Sequence, residues 1–347
     1  MPKIVDLRSD TVTKPTQKMR EAMMNAIVGD DCYGEDPTVN RLEELAAEKM
    51  GKEAGMYVPT GTMGNTAALL THVCHGDAVI MEPDCHIYYY ERGNVSAIAG
   101  ALPVLISGEG GCPDADLVED AIQRNGNRPK TTLICLENTH NRACGRAIPV
   151  QKMKVIQNIA KKYDVPIHLD GARIFNAAIA LGVDVKDISA CVDSVMFCLS
   201  KGLGAPVGSV LTGTADFIKK AKIARKRLGG SMRQAGVIAA AGIVALEEMT
   251  ERLKEDHGNA KILADGLAKI DKIAEGLAKG ETNMVMIDTK HLNATAPDLA
   301  KKLLNSGLKV SVYGPYRIRL VTHKDVEKDD VNFAIDAIGK MMQSISS

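Results

Sequence analysis

The sequence predicts an α/β fold: a mainly parallel sheet wound with helices over residues 1–250, followed by a small α+β domain over 251–347. Three observations point there. Short apolar runs alternate with longer helix-patterned stretches, which is how strands and their covering helices read in a wound sheet. Charge density rises through 247–257 and the pattern then changes, which marks a domain boundary. The chain has 347 residues, 45% of them hydrophobic, enough to bury a large core.

Taken in order, Asp36 followed by Pro37 opens a helix, and Val39, Leu42, Leu45 and Met50 share one face of it until Gly51 stops it. A strand is expected near 55–58, a helix from about Thr62, and strands at 78–82 and 132–137. The alternation then repeats. A helix over 150–162 leads to a strand at 165–170, another helix leads to a strand at 193–199, and one at 208–212 follows closely. The Ala- and Gly-rich stretch 229–246 reads as a buried helix. In the C-terminal part, helices are expected near 259–270 and 296–306, strands near 284–288 and 317–321, and a last helix after Asp325. There is no internal repeat or low-complexity segment.

Lysine plus arginine equal aspartate plus glutamate at 43 each, so no global field favours nucleic acid or an anionic membrane, and a small-molecule substrate is expected. The chain has no tryptophan and four phenylalanines, which leaves few aromatic platforms apart from the run Tyr88, Tyr89, Tyr90. Eight cysteines are scattered from Cys32 to Cys198 without a CxxC pair or a zinc-type Cys/His spacing. Neither a disulfide framework nor a metal site is indicated, and a reducing compartment fits. The opening MPKIVDLRSD carries charge where a signal peptide needs apolar residues, and the longest apolar run, 237–246, is interrupted by Gly242. A cytoplasmic, soluble protein is the expectation.

Chemistry concentrates at strand ends. The strand 166–170 closes on Asp170 before Gly171, at the carboxyl edge where open α/β sheets place ligands. By spacing alone, this acid suits a helix cap as well as a ligand. One βα unit on, the apolar strand 194–199 runs into Ser200 and Lys201, with Gly202, Gly204 and Gly208 following. Burial there disfavours the ammonium and favours the neutral amine of a nucleophile. A lone lysine would read as a snorkelling side chain, but this one is glycine-flanked and close in topology to the acid. The third element is Pro59-Thr60-Gly61-Thr62-Met63-Gly64-Asn65, a small-residue turn opening a helix, where backbone N–H groups favour a phosphate. Alone it reads as a structural turn, since it matches neither a Walker loop nor GxGxxG. Phosphate turn, acid and lysine together form the set a pyridoxal-phosphate site requires: the acid beside the protonated ring nitrogen, and the lysine on the aldehyde.

The segments DLRSDTVTKPT, VGDDCYGEDPT, PTGTMGN, CHIYYYE, ENTHN, HLDGARIFNA, FCLSKGLGAPVGS, GSMRQAG and IRLVTHKD together resemble the low-specificity L-threonine aldolases over nearly the whole chain. The resemblance implies fold type I of the pyridoxal-phosphate enzymes, similar to aspartate aminotransferase, with a mainly parallel seven-stranded sheet in the large domain. It implies cleavage of β-hydroxy amino acids to glycine and an aldehyde. It also implies a homotetramer, a dimer of dimers, with sites at subunit interfaces. Residue by residue, Lys201 matches the Schiff-base lysine, Asp170 the pyridinium partner, and Gly61 and Thr62 the phosphate turn, with Ser200 nearby. His86 matches a histidine stacked on the cofactor ring close to the substrate β-hydroxyl. Ser9, Arg173 and Arg319 match donors for the substrate carboxylate, a task that suits an arginine fork. Arg233 matches a further anion ligand reaching towards the cofactor phosphate, and Tyr33 and Tyr90 are secondary candidates. Thr60 stands where the family commonly has serine, and Tyr88 and Tyr89 stand where other aromatic residues occur. Two rivals remain: a β-eliminating lyase or aminotransferase on the same fold, and a non-catalytic scaffold that keeps it.

Overall fold

The computed structural model describes residues 4–123 and 128–346. The chain divides into two compact units, Pro15–Thr250 and a second made of Met1–Lys14 with Glu251–Ser347.

The larger unit is built on a seven-stranded sheet ordered Ala54–Val58, Ser209–Gly213, Ser194–Cys198, Ile167–Asp170, Thr131–Glu137, Ala78–Met81, Leu102–Leu105. Ser209–Gly213 runs antiparallel to both of its neighbours, and every other pairing is parallel. Strands Ile167–Asp170 and Ser194–Cys198 are buried along their whole length, as central strands covered on both faces must be. Leu102–Leu105 is a half-exposed edge strand, and Pro103 is tolerated there because an edge strand has one unpaired side. One face is packed by Met56, Ala67, Met196, Leu211 and Ile218, and another cluster joins Leu69, Val79, Ile87, Val95 and Leu133.

Helix Pro37–Met50 begins where the sequence places it. Asp36 accepts from the backbone N–H groups of Thr38 and Val39, and Gly51 closes the helix in the left-handed conformation. The same buried carboxylate accepts from Gly236 N at 2.9 Å, so Asp36 also fixes the start of helix Gly236–Glu248. That start differs from the expected one at 229. The preceding helix, Ala215–Arg227, ends at Gly229, whose φ of +78° breaks the helical path, and the link that follows carries Arg233.

A buried ion pair ties helix Ala215–Arg227 to the segment before Asp36: Arg225 donates to Asp31 Oδ2 at 2.8 Å and to the Tyr57 carbonyl at 2.7 Å. Removing one partner leaves an uncompensated buried charge, so Arg225→Ala should cost about 3–5 kcal/mol. Equilibrium urea unfolding checks this, and an unchanged midpoint would contradict it.

The second unit holds a four-stranded antiparallel sheet ordered Ser311–Val312, Arg317–Val321, Met284–Asp288, Leu277–Lys279. Helices Leu253–Leu267, Ala296–Asn305 and Lys328–Ser346 belong to it, with a core that includes Leu263, Leu299, Leu320 and Ile338. The first fourteen residues, which the sequence reading assigns to the large domain, cluster with this unit instead. Val5–Asp6 pairs in parallel with Leu308–Lys309, Leu7 exchanges backbone hydrogen bonds with Lys309 and Val321, and Val5 and Leu7 are buried.

Candidate active site

Five chemistry-bearing segments of the larger unit follow the carboxyl ends of mutually parallel strands. Ala54–Val58 leads to the turn at 59–65, Ala78–Met81 to His86, Thr131–Glu137 ends on Glu137, Ile167–Asp170 on Asp170, and Ser194–Cys198 leads to Lys201. This is the edge at which open α/β sheets hold ligands.

Asp170 is 1% exposed. Its Oδ2 accepts from Asn65 Nδ2 at 2.8 Å, and its Oδ1 accepts from Ala172 N at 3.1 Å. Helix capping does not account for it, because the next helix starts at Ile174 with Arg173 at its N-cap. His86 stands beside it, with Nδ1 3.9 Å from Asp170 Oδ2 and 2.9 Å from Glu91 Oε1. The His86 side chain is 29% exposed, so part of the ring faces open space. Burial works against its charged form, but the hydrogen bond to Glu91 and the charge of Asp170 outweigh burial and raise its proton affinity above that of ordinary imidazole. Burial likewise pushes the Glu91 carboxyl up. The His86 backbone N–H donates to Glu137 Oε2 at 2.5 Å, which anchors the short helix His86–Tyr89 to the sheet edge. The ligand-capable atoms of His86, Glu91 and Asp170 lie within 4.8 Å of one another.

Lys201 is half-buried rather than buried, in a tight loop where Gly204 N donates to the Lys201 carbonyl at 2.9 Å and Ala205 N donates to Leu199 O at 3.1 Å. Its charge acts on His86, which opposes that ring's protonation. Ser200 precedes it directly. The turn at 59–65 opens helix Gly61–His72, with Thr60 capping by accepting from Met63 N at 3.1 Å. The N–H groups of Gly61 and Thr62 lie in the first turn, where no earlier helical carbonyl can receive them. The glycines are required by closeness: a Cβ at position 61 would meet Cys198 Sγ at 3.0 Å, and one at 64 would meet Met196 Cγ at 2.6 Å. The helix N-terminus is therefore pressed against the lysine-bearing strand.

The other expected residues are placed unevenly. Arg173 is buried at the start of helix Ile174–Leu181, directly after the Asp170 turn. The Tyr90 hydroxyl accepts from Arg142 Nη1 at 3.2 Å, and its ring lies 5.4 Å from that of His86, which supports the histidine's surroundings. Arg233 points elsewhere: its side chain is 60% exposed and donates to Asp30 Oδ2 at 3.1 Å. Tyr33 is 76% exposed at the end of the turn Asp31–Tyr33. In the second unit, Ser9 caps the turn Asp10–Val12, and Arg319 is a buried residue of strand Arg317–Val321. The Arg319 guanidinium donates to the Arg8 carbonyl at 3.2 Å and lies 4.6 Å from the Tyr313 ring centroid.

Sequence reasoning missed Asn65, Glu91, Glu137 and His168. Asn65 Nδ2 donates to both Glu91 Oε1 and Asp170 Oδ2, at 2.8 Å each. His168, on the acid strand, contacts Asn65 Oδ1 at 3.1 Å and Ser194 Oγ at 2.9 Å, and Ser194 Oγ in turn contacts His72 Nε2 at 2.8 Å. Burial lowers the His168 pKa to about 3 and the His72 pKa to about 4, so both rings are neutral. One signal was available: Asn65 and Glu91 both lie inside segments already singled out for chemistry, PTGTMGN and CHIYYYE.

Known proteins resemble this chain over nearly its whole length. The beta-eliminating lyase family matches residues 6–290. Low-specificity L-threonine aldolase 1 of Arabidopsis thaliana is 47% identical, over 97% of this chain and 96% of its own length. The low specificity L-threonine aldolase of Escherichia coli (strain K12) is 42% identical, over 94% of this chain and 96% of its own length. Among solved structures, the threonine aldolase of Leishmania major superposes with a TM-score of 0.82 at 20% identity, over 97% of this chain and 99% of that one. An aspartate aminotransferase double mutant of Thermus thermophilus superposes with a TM-score of 0.74 at 18% identity, over 98% and 92%.

Proposed function

The chain belongs to the beta-eliminating lyase family and to the low-specificity L-threonine aldolases, and from that premise we propose that it cleaves L-threonine and related β-hydroxy amino acids to glycine and an aldehyde with pyridoxal phosphate. It is an aldehyde-lyase on fold type I. The observation that carries the proposal is the buried Asp170 beside His86, with Lys201 and the Gly61–Thr62 turn at the same sheet edge.

The residues present fit the cofactor. Gly61 and Gly64 let the helix N-terminus pack closely against the lysine strand, tightest at 64, which places the first-turn N–H groups as an anion cradle. Asp170 supplies a buried carboxylate suited to a protonated ring nitrogen. When bound, pyridoxal phosphate supplies an aldehyde for the substrate amine and an electron-withdrawing ring that lowers the cost of breaking the Cα–Cβ bond.

The chain's own groups divide the remaining work. Lys201 would anchor the cofactor through its amine and leave that position free for the substrate amine. Gly61, Thr62 and Ser200 would hold the phosphate, with Arg233 as a further anion ligand. His86 would lie against the cofactor ring with its exposed side toward the β-hydroxyl, and would take that proton itself or orient a water that does. Arg173, Arg319 and Ser9 are proposed as ligands of the substrate carboxylate, with Tyr33 and Tyr90 in supporting positions.

The proposal includes assembly from copies of this chain, as a dimer of dimers. Met24, Ile27 and Tyr33 are 77%, 74% and 76% exposed in one short segment, beside the outward-facing Arg233, and a second copy accounts for such a patch. A cytoplasmic location is proposed because all eight cysteines are free. No helix among the described residues is long and apolar enough to cross a membrane.

Product analysis tests the activity. Purified protein incubated with L-threonine or L-allo-threonine should release glycine and acetaldehyde in equal amounts. 2-Oxobutanoate with ammonia would instead assign it to β-elimination.

A further inference from the structure

One direction satisfies every contact in the polar chain behind the candidate site. His168 and His72 are neutral, so each ring carries a single N–H. The amide of Asn65 faces two carboxylate oxygens with its Nδ2, which leaves its Oδ1 as the acceptor for His168 Nε2–H. His168 Nδ1 must then accept from the Ser194 hydroxyl, and Ser194 Oγ accepts from His72 Nε2–H. Reversing Asn65 would aim a carbonyl at two acids. Three neutral groups therefore hold both hydrogens of the Asn65 amide on Glu91 and Asp170.

Glu91 stands at the end of this chain. Its Oε1 accepts from Asn65 at 2.8 Å and from His86 Nδ1 at 2.9 Å, and its Oε2 is buried without a hydrogen-bond partner. All of its hydrogen bonding therefore acts through Oε1, between the amide and the imidazole. We infer that Glu91 is a positioning residue for the proposed reaction: its carboxylate fixes the proton on His86 Nδ1, presents Nε2 on the open side of the ring, and, through Asn65, ties that ring to the acid assigned to the cofactor nitrogen. Two carboxylates bridged by one amide then serve two cations, Asp170 the cofactor ring and Glu91 the imidazolium. This rests on the reading that His86 lies against the cofactor.

Other charged groups also face His86. Asp170 comes from strand Ile167–Asp170, Glu137 from Thr131–Glu137 through the His86 backbone, Lys201 from the loop after Ser194–Cys198, and the Tyr90 ring flanks it. Asp170 favours the protonated ring and Lys201 opposes it. Glu91 is the acid in direct contact with a ring nitrogen, and its hydrogen bond is the largest influence raising the proton affinity of His86, ahead of the charge of Asp170 and then that of Glu91 itself.

Glu91→Gln isolates that charge. A glutamine can keep its oxygen at the Oε1 position and accept both hydrogen bonds, while its amide nitrogen takes the place of Oε2, where no donor is displaced. The experiment is a pH titration of His86 in the holoenzyme by NMR with ring-labelled histidine, assigned with a His86→Gln variant. With Glu91 in place, His86 should keep its Nδ1 proton across the titration and protonate at a pH above that of a free histidine. In E91Q the midpoint should fall by about one pH unit or more, and the limb of the kcat/KM profile governed by His86 should move acidward with it. Glu91→Asp, which keeps the charge but draws it back, should give an intermediate midpoint, and it carries the test if E91Q does not fold. A His86 midpoint unchanged in both variants would overturn the inference, as would a wild-type midpoint that shifts when EDTA is added. Because the readout is a proton affinity, a chain that binds cofactor and cleaves threonine yet shows no shift fails this inference alone.

Discussion

Lys201→Ala should lower threonine cleavage on the order of 10^3-fold or more, because the covalent nucleophile and the amine that hands the substrate over are lost together. The fold should survive. The loop around residue 201 is held by backbone hydrogen bonds from Gly204 and Ala205, and the side chain is only half-buried, so thermal unfolding should move by little. Two readouts separate chemistry from folding. Borohydride treatment of the parent protein with pyridoxal phosphate should leave the mass of the reduced cofactor on the peptide carrying Lys201, and the variant should take up no label. Arginine at 201 should fail as badly as alanine, since a guanidinium stays protonated and cannot act as an amine nucleophile. Turnover within tenfold of the parent, or label on another lysine, would remove Lys201 from its assigned role.

Lys201 and Asp170 were legible because each stands at the exit of a largely apolar strand, where a charged residue stands out. The same reasoning is blind to Asn65. A polar residue in a helix reads as solvent-facing, yet Gly61 and Gly64 bring this helix so close to Met196 and Cys198 that the Asn65 amide lies fully buried beside Asp170. That close approach is set by packing between strands distant in sequence. Glu91 is hidden for a related reason, since five residues separate it from His86 across a short helix and a turn, and no periodic spacing links them. Val5–Asp6 is too short for a strand to show alternation, so nothing in the sequence attached residues 1–14 to the C-terminal unit. Tyr33 and Arg233 were legible only by resemblance. Within one chain they face outward.

Asp170→Asn tests the acid on which the cofactor assignment depends, and two effects should appear together. The first is local. Asp170 accepts through both oxygens, from Asn65 at Oδ2 and from Ala172 at Oδ1, so an asparagine in either orientation sets its amide against one of these donors. A buried donor left facing another donor costs about 1–3 kcal/mol, which should lower the unfolding midpoint by a few degrees. The second effect is electrostatic. A neutral amide cannot hold the ring nitrogen protonated as a carboxylate does, so the ring withdraws electrons less strongly when the Cα–Cβ bond breaks. The expected fall in kcat is roughly 10^2–10^3-fold, the scale at which losing one charge-stabilising contact acts in a buried site, with weaker cofactor retention on dialysis. Asp170→Glu keeps the charge but moves it by a methylene, so it should retain cofactor better than asparagine while losing rate through misplacement. If D170N keeps its cofactor and a kcat within threefold of the parent, Asp170 holds Asn65 and the following turn and has no part in the chemistry.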